Sequence, residues 1–589
     1  MNAVYDCLEA GKIGIFESPT GTGKSLSLIC GALTWLRDHK RRTFEEGFGE
    51  ELKNSDEPAW LIESALRQKK EEAVRRRRDM ELRLAKIRAR EKRVKERWRN
   101  GDEGMRFKRQ KTGVDQTDED RDEARFVLDD YESDGDGDLN GKKKKEIFDE
   151  SGISAETQAL MQELGFAFDK KKEEEQDIDE LKIFFCSRTH SQLSQFTSEL
   201  RRVRMPPAIS ISSSDSQPHN PNPTSSSRGD EEVGDMVEHI KHLTLGSRKN
   251  LCINPKVKKL GNATAINERC LELQQPGTAA EKKCPFMPTR ETEAIVHDFR
   301  DHALAQIRDI EDLGSLGQKL GICPYYASRP ATKYCEIVTL PYPLLLQKST
   351  REALGLSLKN HIIIIDEAHN LMDAIAGIYS VSVTLAQLEL ARAQITVYLQ
   401  KFRNKLKGRN RVYVAQIVRL LDSVISYLRA KKTGKEKEGV VEIAGLMAGK
   451  GVDQTNLFKL NRYLQESRLA RKVDGYTVFA EQQQQEREKE KQKQNQSGNN
   501  IKTNTTVSKP TARQTVPVLT HIQSFLLSLM NPSKEGRFFY AKDEGEGIEL
   551  KYMLLDPTFH FKDIVEEARA VVLAGGTMSP VSVPFRFSI

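Results

Sequence analysis

An α/β fold built on a parallel sheet is predicted for this chain, and three observations predict it. Apolar Ile13, Ile15 and Phe16 lead into the turn Thr20-Gly21-Thr22-Gly23-Lys24-Ser25, and an apolar-periodic stretch then reaches Trp35, which is the strand–turn–helix order of a phosphate-binding unit. Leu181-Lys182-Ile183-Phe184-Phe185-Cys186 resumes a buried-strand pattern and is followed by helical spacing from Ser191 to Arg202. His361-Ile362-Ile363-Ile364-Ile365 is a short β-branched run of the kind a central parallel strand needs, since both of its faces are covered.

The chain has 589 residues, enough for about four domains at roughly 150 residues each. A mean hydropathy of -0.59 with 30% charged residues points to folded domains interrupted by solvated insertions rather than one compact body. The net charge of +7 is modest, but basic residues concentrate at Arg75-Arg76-Arg77-Arg78 and from Lys86 to Arg99. Such a run either holds phosphates or is a solvated helix, and the solvated helix is the expected reading. No run of 18 or more apolar residues occurs, so no membrane span is expected, and the N-terminus lacks the order of a secretory signal. The chain reads as intracellular, where its eight cysteines are not expected to form disulfides.

Composition divides the chain. Residues 1–40 carry the first part of the α/β domain. Residues 41–178 are a charged, largely disordered insertion that includes the acidic run Asp129 to Asn140 and then four lysines, with one long exposed helix. Residues 179–245 return to the domain, interrupted by a Ser/Pro/Asn-rich disordered stretch at 205–235. Cysteines fall at 252, 270, 284, 323 and 335, marking 246–330 as a candidate metal-binding unit, and 331–373 holds the β-branched strand. Helical periodicity dominates from Leu371 to about Phe479, and 374–560 is expected to be a helical insertion with a disordered interior at 481–515. Residues 561–589 give a last buried strand, Ala570 to Ala574, running into Gly575-Gly576-Thr577-Met578-Ser579-Pro580.

Holding a nucleoside triphosphate needs backbone N–H groups curled round the phosphates, a lysine for charge and a hydroxyl for magnesium at a helix N-terminus. Ser18, Pro19, Thr20, Gly21, Thr22, Gly23, Lys24 and Ser25 supply these parts: the glycines let the loop curl, Lys24 reaches the β and γ phosphates, and Ser25 is positioned for magnesium. Asp366-Glu367-Ala368-His369 places a carboxylate pair after a buried strand, Asp366 toward magnesium and Glu367 toward the attacking water. Alone, that tetrapeptide would serve equally as an acidic helix cap. Joined to the phosphate loop, it reads as the second half of a nucleotidase site.

These residues resemble a known family. Lys24 with its loop, Asp366-Glu367-Ala368-His369 and Gly575-Gly576-Thr577-Met578-Ser579 look like motifs I, II and III of superfamily 2 DEAH-type helicases, in order. Cys186-Ser187-Arg188-Thr189-His190-Ser191-Gln192 resembles motif Ia, which contacts single strands, and Ser247-Arg248-Lys249-Asn250-Leu251-Cys252 resembles the approach to an iron–sulfur domain. The XPD-like branch carries that domain between motifs Ia and II and a helical Arch domain between motifs II and III. The charged insertion, with Glu57-Pro58-Ala59-Trp60 and Tyr131-Glu132-Ser133-Asp134, is most similar to the chromosome-loss (ChlR) helicases of sister-chromatid cohesion.

The resemblance implies a RecA-like motor domain with both insertions. It implies ATP and magnesium as cofactors, with Lys24, Asp366, Glu367 and His369 catalytic and His369 coupling hydrolysis to DNA. Ser187, Arg188, Thr189, Arg248 and Lys249 become candidate DNA contacts, and Gly576, Thr577 and Ser579 coupling residues. By spacing alone, Cys252, Cys270, Cys284 and Cys323, separated by 18, 14 and 39 positions, leave a cluster, zinc or unrelated core thiols open. The resemblance, with Cys284-Pro285 and Cys323-Pro324-Tyr325-Tyr326 matching the family's flanks, implies a [4Fe–4S] cluster. Cys335, ahead of a strand, reads as a core thiol, as do Cys7, Cys30 and Cys186.

The expected function is an ATP-dependent 5′-to-3′ DNA helicase of chromosome segregation, cohesion, replication and repair. Its expected partners are single-stranded and forked DNA with replication-fork and cohesion factors, and its expected location is the nucleus, where the basic runs near Arg75 and Lys142 are weak import candidates. Motifs IV to VI of a second RecA-like domain, with their arginine finger, are not found after Pro580, so the chain is expected to be cut short and incompetent alone. An RNA-directed motor and a non-catalytic single-strand-binding scaffold are the rival readings.

Overall fold

The structure is a computed structural model that describes residues 1–19, 21–50, 59–99, 180–206, 239–274, 281, 283–449, 451–477, 479–480, 483, 518–531, 535–542 and 547–576. Thr20, Thr577 and Ser579, and the segments 100–178, 207–235 and 484–515, lie outside the described residues.

Ten strands are described: β1 (Ile13–Glu17), β2 (Ile183–Ser187), β3 (His242–Thr244), β4 (Ile337–Pro341), β5 (Ile362–Asp366), β6 (Val381–Thr384), β7 (Glu438–Val441), β8 (Gly536–Lys542), β9 (Ile548–Leu554) and β10 (Ala570–Gly575). Six form one sheet in the order β1-β10-β5-β2-β4-β3, and every pairing in it is parallel. Period-2 alternation sends Phe184, Ile363, Ile365, Val571 and Leu573 to one core and Phe185, Ile362, Ile364, Val572 and Ala574 to the other, so both faces are covered. Each buried isoleucine of β5 contributes about 1.5–3 kcal/mol relative to exposure, which explains the uninterrupted apolar run. Among the described residues no helix is long and apolar enough to cross a membrane.

The phosphate-loop helix, Lys24–Glu50, runs past the residue 40 expected from sequence. Its middle is fixed by a buried ionic knot at the end of the sheet away from the phosphate loop. Glu336, just before β4, is buried and receives Arg37 Nη2 at 3.3 Å, Lys40 Nζ at 3.0 Å and the Lys241 backbone N–H at 3.1 Å. Burial opposes ionisation of Glu336, but the charges of Lys40 and Arg37 prevail and hold its carboxyl far below the usual range.

The long helix expected in the first insertion is present as Ala59–Arg99, yet it is not solvated all round. Met80, Leu84 and Ile87 recur at helical spacing and turn into the core on one face of the parallel sheet, and the helix packs on the helix Glu293–Ala305. Glu91, one turn further on the same side, accepts from His302 Nδ1 at 2.7 Å and Arg308 Nη2 at 2.5 Å.

The segment between β5 and β10 differs from the expected all-helical insertion. Helices Leu385–Lys401, Gly408–Thr433 and Val518–Ser528 share a core with an antiparallel sheet ordered β6-β9-β8-β7. In β9, Ile548, Leu550, Tyr552 and Leu554 are buried while Lys551 and Met553 face out. That alternation is present in Ile-Glu-Leu-Lys-Tyr-Met-Leu, but the helical periodicity of the longer segment hides it.

Candidate functional site

The phosphate loop leaves β1 at the C-terminal edge of the sheet, and Ser18 N–H donates to Gly575 O at 3.0 Å, fastening the loop to the end of β10. Gly21 and Gly23 have φ of +88° and +77°, the left-handed region in which a side chain would be strained. Ser18 and Thr22 hydroxyls lie 2.6 Å apart, and the Thr22 hydroxyl donates to Pro19 O at 2.8 Å, closing the loop on itself. Lys24 and Ser25 then open the helix Lys24–Glu50.

Two strands away, β5 ends at Asp366. Glu367 follows with φ +56°, a left-handed conformation uncommon outside glycine, and starts the 3-10 turn Ala368–Asn370. The turn brings both carboxylates to the loop: Lys24 Nζ lies 2.8 Å from Glu367 Oε1 and 3.2 Å from Asp366 Oδ1. Burial works against the Lys24 ammonium, but the Glu367 hydrogen bond and the Asp366 charge outweigh it and raise its pKa. Burial raises the Asp366 pKa, with Lys24 pulling the other way.

His369 Nδ1 is 3.3 Å from Glu367 Oε2, its Nε2 is 2.7 Å from Asn370 Nδ2, and Asn370 Oδ1 accepts from Arg188 Nη1 at 3.0 Å. The proposed hydrolytic carboxylate is therefore wired to the loop after β2 in four side chains. Sequence reasoning missed Asn370 and Tyr342. The Tyr342 hydroxyl, buried beneath the site, donates to the Asp366 carbonyl at 2.5 Å and holds the strand end in place. Its position after β4 was the available signal, since that loop shares the edge of the sheet with β2 and β5.

The expected DNA contacts separate into two groups. Arg188, Thr189 and Lys249 are exposed, although Thr189 also caps the helix His190–Leu200 in a capping box with Gln192. Ser187 is buried with its hydroxyl on Gln192 Oε1 at 2.9 Å, so it orders the turn instead of facing solvent. Arg248 is half-buried with its guanidinium 4.5 Å from the Tyr325 ring centroid and Nη2 donating to Tyr326 Oη at 3.1 Å, which makes it a structural cation beside the cysteines. Gly576 directly follows β10.

Cys252, Cys270, Cys284 and Cys323 line a single cavity with Ile253, Val257, Leu273, Phe286 and Met287. Gln274 Nε2 donates to Cys270 Sγ at 3.2 Å and Asn254 Nδ2 to Cys284 Sγ at 3.4 Å, and the Tyr326 hydroxyl lies 2.8 Å from Gln274 Nε2. Burial pushes the Cys323 thiol up to about 11. Among the described residues no three His, Cys, Asp or Glu side chains converge closely enough for a single metal ion. Cys335 stands apart, buried with Sγ donating to Ala331 O at 3.1 Å.

A parallel sheet with a phosphate loop after its first strand and a lysine bridged to an acidic pair after a strand two places along the sheet defines the P-loop nucleotidase class. The DEAD_2 family matches residues 185–388. The chain is 52% identical to "ATP-dependent DNA helicase chl1" of Neosartorya fischeri, over 99% of this chain and 64% of that protein. It is 49% identical to "ATP-dependent DNA helicase CHL1" of Coccidioides immitis, over 99% and 64%, and 36% identical to its Schizosaccharomyces pombe namesake, over 99% and 65%. The chain thus spans just under two thirds of the length of these relatives, and it is similar to them over 99% of its own length.

Proposed function

We propose that the chain is the nucleotide-binding part of an ATP-dependent DNA helicase that moves 5′ to 3′ in chromosome segregation, cohesion, replication and repair. The observation that carries this reading is the meeting of Lys24 with Asp366 and Glu367 at the sheet edge, wired through His369 and Asn370 to Arg188. ATP phosphates entering the loop compete with the two carboxylates for Lys24, and Glu367, once released, orients the attacking water. Ser25 and Asp366 would hold magnesium, which neutralises the phosphate charge when bound. Loss of the γ-phosphate changes what Glu367 holds, and His369 and Asn370 carry that change to Arg188.

The four cavity cysteines fit a [4Fe–4S] cluster, which would supply a rigid redox-active centre to the domain. A tetrahedral zinc ion draws its sulfurs to about 3.8 Å from one another, whereas a cluster with iron at each corner spaces its thiolates more widely. The four thiols share one cavity, and iron, sulfide and zinc analysis of the purified chain separates the two cases.

Forked DNA, replication-fork and cohesion factors are the proposed partners, and the nucleus the proposed location. The test is binding of labelled ATP and oligo-thymidine by the purified chain and its Lys24→Ala variant, with iron and sulfide analysis. Nucleotide binding lost in the variant, with four iron atoms per chain expected for a [4Fe–4S] centre, supports the reading. Nucleotide-independent DNA binding in both would favour the scaffold, and preference for an RNA strand the RNA motor.

A further inference from the structure

The helix Ala59–Arg99 has an outer face that the nucleotide site does not use. Between residues 82 and 95 it carries Arg83, Lys86, Arg88, Arg90, Lys92, Arg93 and Lys95 against a single carboxylate, Glu91. That carboxylate is turned inward and held by His302 and Arg308, and Arg88 is turned inward onto Glu81. Arg83, Lys86, Arg90 and Arg93 are exposed, follow the 3-4-3 spacing of one helical face, and form no ion pair with a described residue. The inward face, Met80, Leu84 and Ile87, is committed to the motor core, so the helix cannot rotate to hide these charges without exposing apolar surface.

We infer that this outer face is a second nucleic-acid surface that grips the phosphate backbone of duplex DNA. The inference rests on the DNA-motor reading only for the identity of the polyanion. A straight helix sets the four charges along about 15 Å at roughly 5 Å per step, a rigid line suited to a regular backbone. Single-strand surfaces add aromatic side chains on which bases stack, whereas the aromatic residues of this helix are Trp60 and Trp98 at its ends, and the span Arg83 to Arg93 that bears the four charges contains no Phe, Tyr, Trp or His. Backbone charge without a stacking platform is the chemistry of duplex positioning. The helix packs directly on Glu293–Ala305, between the third and fourth cavity cysteines in sequence, so a duplex held here would lie beside the cysteine-bearing unit.

The test replaces Arg83, Lys86, Arg90 and Arg93 together by Gln, which keeps helix propensity and removes only charge. Binding of the full chain to a blunt DNA duplex, to oligo-thymidine and to poly-glutamate is measured across a salt series. The expected result is duplex affinity lowered about tenfold or more, a salt slope shallower by roughly 0.9 for each phosphate that is no longer neutralised, and oligo-thymidine binding unchanged. Unchanged duplex affinity and slope would overturn the proposal, as would wild type that binds poly-glutamate through these residues but not duplex, which would assign the face to an acidic polypeptide. Wild type that binds duplex but not oligo-thymidine would refute the single-strand motor reading and leave this surface standing.

Discussion

Lys24 and Glu367 are 343 residues apart in sequence and meet at 2.8 Å, with Asp366 completing the bridge at 3.2 Å from the same ammonium. Lys24 therefore rests on the two carboxylates at the end of β5, which the phosphates of a nucleotide are proposed to displace. Replacing Glu367 with Gln removes one carboxylate anchor and the group proposed to orient water. ATP affinity is expected to hold or rise, while hydrolysis in an assembled motor falls about 10²- to 10⁴-fold. Lys24→Ala should weaken ATP binding by about 10- to 100-fold, the worth of a hydrogen bond to a charged group. Fluorescent-nucleotide titration checks both, and weaker binding by Glu367→Gln would show that the bridge does not compete with phosphate.

Tyr342→Phe deletes one oxygen and leaves the Asp366 carbonyl buried without its donor. The expected cost is about 1–3 kcal/mol of stability. Magnesium-dependent nucleotide binding should weaken as well, because Asp366 loses its support. A thermal melt unchanged from wild type would mean that the strand end is fixed by β-sheet pairing alone.

Gln274→Leu removes the N–H that points at Cys270 Sγ while leaving all four thiols. Hydrogen bonds to cluster sulfurs stabilise the reduced, more negative state, so under the proposed [4Fe–4S] reading the variant is expected to bind iron like wild type and titrate at a lower midpoint potential. Redox titration followed by electron paramagnetic resonance reads this without any helicase assay. Tyr326→Phe, which frees Gln274 rather than deleting it, should shift the potential in the same direction by less.

Glu336→Gln leaves Arg37 and Lys40 facing a neutral group in a buried position. Breaking such a pair costs roughly 3–5 kcal/mol. The pH dependence follows from a folded pKa below the unfolded one. The wild-type contribution is complete above the unfolded glutamate value of about 4.3 and is lost as pH falls from there toward the folded pKa. Chemical denaturation between neutral and acidic pH should show the variant losing less stability on acidification than wild type, and parallel curves would refute the assignment.

Local chemistry explains what is legible in the sequence. Gly21 and Gly23 are required where φ is positive, the isoleucines of β5 where both sheet faces are covered, and Asp366-Glu367 where a strand meets phosphate, so strand, loop and acidic pair each announce themselves within a few residues. The β8–β9 hairpin is equally local but is masked by longer helical periodicity on either side. Arg248 and Ser187 mislead for a different reason: a basic or hydroxyl residue in a motif looks available until the neighbours that enclose it, Tyr325 and Tyr326 or Gln192, are in place.

The sequence by itself determined the parallel α/β domain, its glycine-rich loop and its acidic pair, because hydrophobic period and turn geometry are set by residues close together in the chain. Only the tertiary structure decided that Lys24 rests on Glu367, that Tyr342 supports Asp366, that Gln274 donates to Cys270, and which face of Ala59–Arg99 is turned outward. Each of these depends on strand order or on how helices and loops dock against one another. Burial, which sets both the partners and the ionisation of a side chain, exists only once those surfaces have met.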